Sequence, residues 1–328
     1  MSKARGFGSF FGKVNLAIIL ILGVLGLFGL MEVGFRLLGF GSPLLYVADP
    51  EVGYLLAPNQ YTRRFGNRIL VNQYSMRSSP LEIIRPASTL RVLIVGDSIA
   101  NGGWWTDQDD TISSLLTRSL QGGDIGTFNE VEVLNASANS WSPRNELAYL
   151  QRFGTFNSQF VVLLINTDDL FGTAPTSLPV GCDRNYPDHK PILALAEFWQ
   201  RYIIKPQPMA AVQSESGDIV GINLEAISTI QAFTREHNSQ FLLVMTPLWR
   251  EVGEPGPRDY EIKSRQRLIN FTQEQQITYI DFLPLLNAHP HPKTLYHDHI
   301  HFNVQGHQFI SQIIERSLLA MLSDQSSH

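Results

Sequence analysis

The chain has 328 residues but one cysteine, Cys182, and only 17% charged side chains. A lone cysteine excludes an intramolecular disulfide framework and any cysteine-rich zinc site. Basic charge is not in excess either. Lys and Arg number 25 against 30 Asp and Glu, a formal net charge of −5, which argues against a general nucleic-acid binder. No internal repeat and no low-complexity tract is present, so solenoids and arrays are excluded. What is there excludes disorder as the main state. With 44% hydrophobic and 10% aromatic residues the chain can build a core, and its length suits one large or two modest domains. The mean hydropathy of −0.04 is ordinary for a soluble protein, but it averages over an uneven chain.

The unevenness starts at the N-terminus. Residues 14–31 read VNLAIILILGVLGLFGLM, with Asn15 as the one polar side chain. Eighteen helical residues reach roughly 27 Å, close to the ~30 Å hydrocarbon core, and extension to residue 35 covers the rest. Lys3, Arg5 and Lys13 precede the run and no acid does. The positive-inside rule then puts the N-terminus in the cytoplasm and the remainder outside. A cleaved signal peptide needs a small-residue cleavage site, where this chain has Glu32-Val33-Gly34-Phe35-Arg36. A buried core helix fits poorly with apolar residues on every face at this length. The expectation is therefore a single-pass signal-anchor in the cell membrane: a cytoplasmic stub 1–13, a transmembrane helix 14–35, and a periplasmic domain. Without the stub the chain holds 22 basic and 30 acidic residues, net −8. Such a domain has no electrostatic reason to lie on an anionic membrane.

Residues 36–90 hold Pro43, Pro50, Pro58, Pro80 and Pro86 and read as an irregular connecting and wrapping segment, with a short hairpin around 68–72. A different rhythm follows. Short apolar runs at 91–97, 131–137, 160–168 and 241–247, and one within 277–286, read as buried strands. Helical patterns at 111–121, 143–153, 223–238, 260–275 and 305–322 separate or follow them, the second opened by Pro143 at a first-turn position. Residues 171–222 lose the rhythm and read as an insertion beside a substrate cleft, with a helical piece ILALAEFWQRYI inside. Alternating strands and helices predict an α/β domain over 91–322, a three-layer α/β/α sandwich with a mostly parallel sheet. Ligands in such sheets bind beyond the carboxyl ends of the strands.

The strand ends carry the reactive residues. The first ends in Gly96-Asp97-Ser98, and a serine on such a turn can present its hydroxyl at the open edge of the sheet. It needs a base, and His297-Asp298-His299-Ile300-His301 offers one near the C-terminus. Asp298 and His301 are three apart, so the carboxylate can orient the imidazole toward Ser98.

With these residues in place, the sequence resembles the SGNH/GDSL hydrolase superfamily over about 91–310, and its anchor and the Val71-Asn72-Gln73-Tyr74-Ser75-Met76-Arg77 stretch resemble a membrane-anchored bacterial branch. Gly96-Asp97-Ser98 matches the first family block and Asp298-x-x-His301 the last. The nearest rival, the α/β-hydrolase elbow, places its nucleophile mid-domain and its Asp far from its His. The resemblance implies a flavodoxin-like sheet and a Ser98–His301–Asp298 esterase without a cofactor. It also implies an oxyanion site formed by the N–H groups of Ser98 and Ser137 with Asn166 or Asp168. Ser137 stands where the family has Gly, and Asp168 replaces a family Asn in Asn166-Thr167-Asp168-Asp169. That second change is physically awkward. An ionised carboxylate accepts hydrogen bonds and repels an oxyanion, where one donor is worth ~2.7–4 kcal/mol. Either Asp168 holds a proton beside Asp169, or it points away while Asn166 or Asn139 supplies the amide, or catalysis is poor.

Trp104, Trp105, Trp141 and Trp249 each follow a predicted strand end. With Asn139 and Asp169, the tryptophans Trp104, Trp141 and Trp249 are the candidate substrate contacts. Late histidines (His289, His291, His297, His299, His307) could suggest a metal, but Asp298-x-x-His301 accounts for the essential one without it. The functional expectation is removal of acyl groups from a cell-surface glycan or lipid ester. An O-acyltransferase acting on an exopolysaccharide, and an inactive SGNH-like binding or assembly protein, are the alternatives.

Overall fold

In the computed structural model, which describes residues 7–205 and 215–326, the apolar run is one helix, α1 (Phe7–Leu37). Its part Asn15–Leu37 is long and apolar enough to cross a membrane, with none of its most apolar window buried by the rest of the chain. Lys3 and Arg5, on which the expected orientation leans, lie outside the described residues, as do Pro206 and Pro208.

The segment after α1 is more ordered than its prolines suggest. It forms two antiparallel hairpins, β1 (Tyr46–Asp49) with β2 (Gly53–Leu56) and β3 (Gln60–Arg64) with β4 (Asn67–Val71). The expected hairpin near 68–72 is the second strand of the latter pair. Pro43 precedes β1, and Pro50 and Pro58 fall between strands, so no ladder N–H is lost. Tyr46, Tyr54, Leu56, Ile69, Val71 and Met76 are buried and join the main core.

The α/β domain follows with β5 (Thr89–Gly96), α2 (Ser98–Asn101), α3 (Ile112–Gln121), β6 (Glu130–Ser137), α4 (Pro143–Phe153) and β7 (Phe160–Asn166). Then come α5 (Ala194–Tyr202), α6 (Ile219–Glu236), β8 (Gln240–Thr246), α7 (Asp259–Glu274), β9 (Thr278–Asp281), α8 (Phe282–Asn287) and α9 (Val304–Ser326). The sheet runs β6-β5-β7-β8-β9, all parallel. Alternation along each strand divides the core in two. Leu93 and Val95 face Tyr149, Ile227 and Leu268 on one side. Val92 and Ile94 face Leu116, Ile310 and Phe282 on the other. This is the three-layer sandwich.

Local chemistry moves several boundaries. Asp218 accepts from the N–H of Gly221 at 3.0 Å and starts α6 four residues earlier than periodicity predicts. Asn166 caps a 3₁₀ turn over Thr167–Phe171, which ends β7 before Asp168. The strand order reverses around β5, whose neighbours β6 and β7 lie on opposite sides. A crevice beyond the carboxyl ends of β5 and β7 is the binding place in such a sheet.

Candidate active site

Ser98 opens the short helix α2 directly after β5. Asp97 caps that helix, its side chain accepting from the N–H of Ile99 at 2.8 Å. The Ser98 Oγ lies 2.9 Å from His301 Nε2, and His301 Nδ1 lies 2.8 Å from Asp298 Oδ2. The other Asp298 oxygen accepts the main-chain N–H groups of Ile300 (2.9 Å) and His301 (2.8 Å), which folds Asp298-x-x-His301 into one turn. Burial acts to raise the Asp298 carboxyl. The N–H groups of His301 and Ile300, then the imidazole, outweigh it and hold the carboxyl below its ordinary range. With a carboxylate at Nδ1, the imidazole keeps its proton there and leaves Nε2 to accept from Ser98.

These groups open on a cleft of about 360 Å³. It is lined by Trp104, Trp105, Asn139 and Ser140 of the α/β domain and by Leu44, Arg64, Tyr186 and Arg201 of the segment after α1 and the insertion. Arg64 and Arg201 both bind Glu197, at 2.7 and 2.8 Å. Trp105 stacks on His297 with centroids 4.9 Å apart and meets His301 edge-on at 4.7 Å. A Cβ on Gly103 would lie 2.4 Å from the Trp105 ring, so glycine there lets the indole fold over the histidine. Fully buried Arg77 fastens this loop, donating to the carbonyls of Asn101 (2.5 Å), Gly103 (2.6 Å) and Thr106 (2.6 Å). Trp105 and Arg77 were not among the expected site residues. Two adjacent tryptophans give no sequence signal of which one reaches the histidine, and a buried arginine looks like any other.

The structure brings Ser98, His301, Asp298, Trp104 and Asn139 together and places the other candidates elsewhere. Ser137 is in β6, fully buried, its hydroxyl donating to Asn135 Oδ1 at 2.5 Å, and it does not line the cleft. Ser140, three residues on, does line it, with φ of 57° and its hydroxyl 2.9 Å from the Tyr186 hydroxyl. A positive φ favours glycine, so this is the position of special backbone. Asp168 is exposed and off the cleft lining, and only its N–H is used locally, donating to Asn166 Oδ1 at 2.7 Å. The Asn166 amide is taken up by Asp97 (2.6 Å) and Asp169 (3.0 Å). Asp169 is buried and also accepts the Asn166 N–H at 2.7 Å, so it ties the turn rather than facing substrate. Trp141 is core, its Nε1 donating to the Tyr54 carbonyl at 3.1 Å. Trp249 is off the cleft lining, under the Lys293 ammonium at 4.2 Å. Arg250 is paired with buried Glu261.

Behind the nucleophile lie three buried carboxyls. Asp97 and Asp169 share the Asn166 amide, while both oxygens of Glu146 are buried without a hydrogen-bond partner. Burial, then the neighbouring Asp97, pushes the Glu146 carboxyl well above its usual range. The folded chain therefore keeps a proton that the unfolded chain releases above about pH 4.3. Stability from this group is full below that pH and declines as pH rises toward the folded value, by ~1.4 kcal/mol per pH unit. Glu146→Gln should lessen the decline, matching the parent near pH 4 and exceeding it increasingly as pH rises, while the buried Asp97 and Asp169 carboxyls, also pushed up by burial, keep the remainder. Urea midpoints across pH 4.5–8 check this.

Among the described residues no group of three or more His, Cys, Asp or Glu converges as metal ligands would. His307 is buried on α9, against the Asp110 carbonyl at 2.9 Å, and burial pushes its pKa down to about 4. Cys182 is exposed in the insertion.

Several solved structures are similar. The lipase/acylhydrolase from Enterococcus faecalis is 17% identical, with a TM-score of 0.45, covering 70% of this chain and 94% of its own. An acetyl xylan esterase is 13% identical, with a TM-score of 0.48, covering 69% and 98%. The acetylxylan esterase from Geobacillus stearothermophilus is 15% identical, with a TM-score of 0.46, covering 72% and 95%. No curated protein matches. The GDSL-like lipase/acylhydrolase family model matches residues 94–309, which take in Ser98, Asp298 and His301 and most of the chain. The chain belongs to the GDSL-like lipase/acylhydrolase family, whose members hydrolyse ester bonds.

Proposed function

We propose that this protein is a serine esterase held in the cell membrane by α1, its cleft on the extracytoplasmic side, removing acyl groups from a cell-surface glycan or lipid ester. The observation that carries this reading is the continuous relay from Ser98 Oγ through His301 to Asp298, at 2.9 and 2.8 Å, on the floor of an open cleft. Ser98 attacks the ester carbonyl as His301 Nε2 takes its proton. The tetrahedral intermediate collapses, the alcohol leaves with that proton, and water then cleaves the acyl-enzyme by the same route. No cofactor enters this sequence.

The oxyanion falls to the N–H groups of Ser98 and Ser140 and to the amide of Asn139, in place of Ser137, Asp168 and Asn166. Two observations support this. Ser140 lines the cleft with a left-handed backbone, and its neighbour Asn139 lines the same cleft as Ser98 with a side chain that carries an N–H donor. Asn139→Ala should then lower kcat about tenfold to a hundredfold with KM little changed, since the amide acts on charge that develops in the transition state. Steady-state kinetics on an aryl acetate checks it. Lys3, Arg5 and Lys13 support the orientation of the anchor.

A fluorophosphonate probe should label Ser98 in folded protein and not in heat-unfolded protein; no labelling of the folded chain overturns the assignment. Incubation with an activated acetyl ester and oligosaccharides should yield free acetate, whereas acetylated sugar would make the protein a transferase. Asp298→Asn should lower kcat about 100-fold, because an amide facing Nδ1 favours the wrong tautomer. The loss is smaller than at a fully buried aspartate because Asp298 is 35% exposed and water can take part of its place.

A further inference from the structure

The anchor does not end in a loose joint. Glu32, near the outer end of α1, accepts the main-chain N–H groups of Ala194 (2.9 Å) and Leu195 (3.0 Å), the first residues of α5. It serves as the cap that α5 lacks in its own sequence, where Leu193 offers no acceptor. Arg36 pairs with Glu32 at 2.7 Å and donates to the Ile192 carbonyl at 2.8 Å. Phe35 packs on Phe198, centroids 4.5 Å apart, and Phe40 lies edge-on to both at 5.4 and 5.8 Å. Glu197 of α5 accepts the Gly41 N–H at 2.6 Å, just past the end of the anchor.

This lock sets a depth. Glu32 and Arg36 are the first charged residues after Lys13, so the hydrocarbon boundary falls close to Met31. α5 begins at that level. Ala194 and Glu197 face inward, while Trp199, Tyr202, Ile203 and Ile204 are each at least half exposed and Ile192 is 91% exposed. So much apolar surface in one short segment is unusual in water, and Trp and Tyr are the residues favoured at a bilayer interface. Charge offers no alternative attraction, since the chain beyond the stub is net −8.

We propose that residues 192–204 lie in the outer headgroup layer of the bilayer that α1 crosses, so that the cleft opens at the membrane surface and takes esters held there. The proposal rests on the reading of α1 as a membrane span. Arg201 of α5, and Ser42, Pro43 and Leu44 just after the anchor, line the same cleft as Ser98. The cleft wall is thus continuous with the part of the molecule nearest the bilayer. The shared substrate chemistry is an acyl ester on a membrane-held molecule, either a lipid itself or a glycan still joined to a lipid.

The test uses the full chain in phosphatidylcholine–phosphatidylglycerol vesicles carrying nitroxide lipids. Single cysteines are placed by Trp199→Cys, Ile203→Cys, Leu22→Cys in mid-span and Asp124→Cys in the α3–β6 loop, at the amino end of the sheet and off the cleft lining, each with Cys182→Ala, and labelled with a bimane fluorophore. Thermal melting confirms that each labelled protein is folded. Labels at 199 and 203 should be quenched by a shallow nitroxide at least about threefold more than the label at 124, and the label at 22 by a deep one. Equal quenching at 199, 203 and 124, with 22 quenched from depth, overturns the interfacial proposal and leaves the anchor standing. No quenching at 22 overturns both. With the geometry established, the same acyl ester carried in the vesicle by a lipid or by a glycan joined to a lipid separates the two sources.

Discussion

Ser98→Ala should lower kcat for ester hydrolysis by roughly 10⁴- to 10⁶-fold while leaving KM within a fewfold. The hydroxyl removed is the group 2.9 Å from His301 Nε2, and the bond it forms exists only along the reaction path. An interaction made in the transition state and not in the ground state appears in kcat. The residual rate comes from the oxyanion donors and from binding, neither of which the change touches. Folding should be unaffected, because Ser98 supplies no cap: Asp97 does. Initial rates on an aryl acetate, with a thermal melt as control, check both parts. Full activity in the variant would remove the serine mechanism.

Arg77→Ala should destabilise the protein by roughly 3–5 kcal/mol, the range for stripping a buried charged group from its partners. Arg77 is fully buried, and burial pushes its guanidinium down to about 10, with the Asp107 charge opposing. Its guanidinium donates to three main-chain carbonyls, those of Asn101, Gly103 and Thr106, and more weakly to Gln108 Oε1 at 3.4 Å. Alanine leaves all three without that donor and opens a cavity beneath the loop that carries Trp105. A melting temperature about 10 °C lower follows for a domain of this size. The rate should fall as well, since Trp105 packs against His301. Arg77→Lys keeps the charge but not the planar fork, and should recover only part of the loss. Urea denaturation in detergent gives the first number and kcat the second.

Both predictions rest on parts of the molecule that differed in legibility. Gly96-Asp97-Ser98 and Asp298-x-x-His301 could be read because each is contiguous: a capped turn after a strand, and a carboxylate bonded to N–H groups two and three residues on. The parallel sheet could be read because its strands are buried on both faces and leave unbroken apolar runs. Other features depend on geometry that sequence does not carry. Ser140 takes a left-handed backbone without being glycine, so nothing in its identity separates it from Ser137. Asn166 carries the expected amide, but two buried carboxyls already occupy it. Trp141 and Trp105 both follow strand ends; the first turns into the core and the second over the histidine. The first hairpin was hidden, and the second legible only around 68–72, because prolines between strands look the same as prolines in a disordered linker.

Those hairpins determine how a soluble form of the protein has to be cut. A version beginning at the first strand of the parallel sheet loses Tyr46, Tyr54, Ile69 and Met76 from the core, Arg77 from beneath the nucleophile loop, and Leu44 and Arg64 from the cleft wall. A version beginning at Leu38 keeps all of these, but deprives the start of α5 of Glu32 and uncovers the ring of Phe198. An expression strategy that discards everything before residue 91 as leader would purify an incomplete enzyme, and a low activity measured on it would describe the cut.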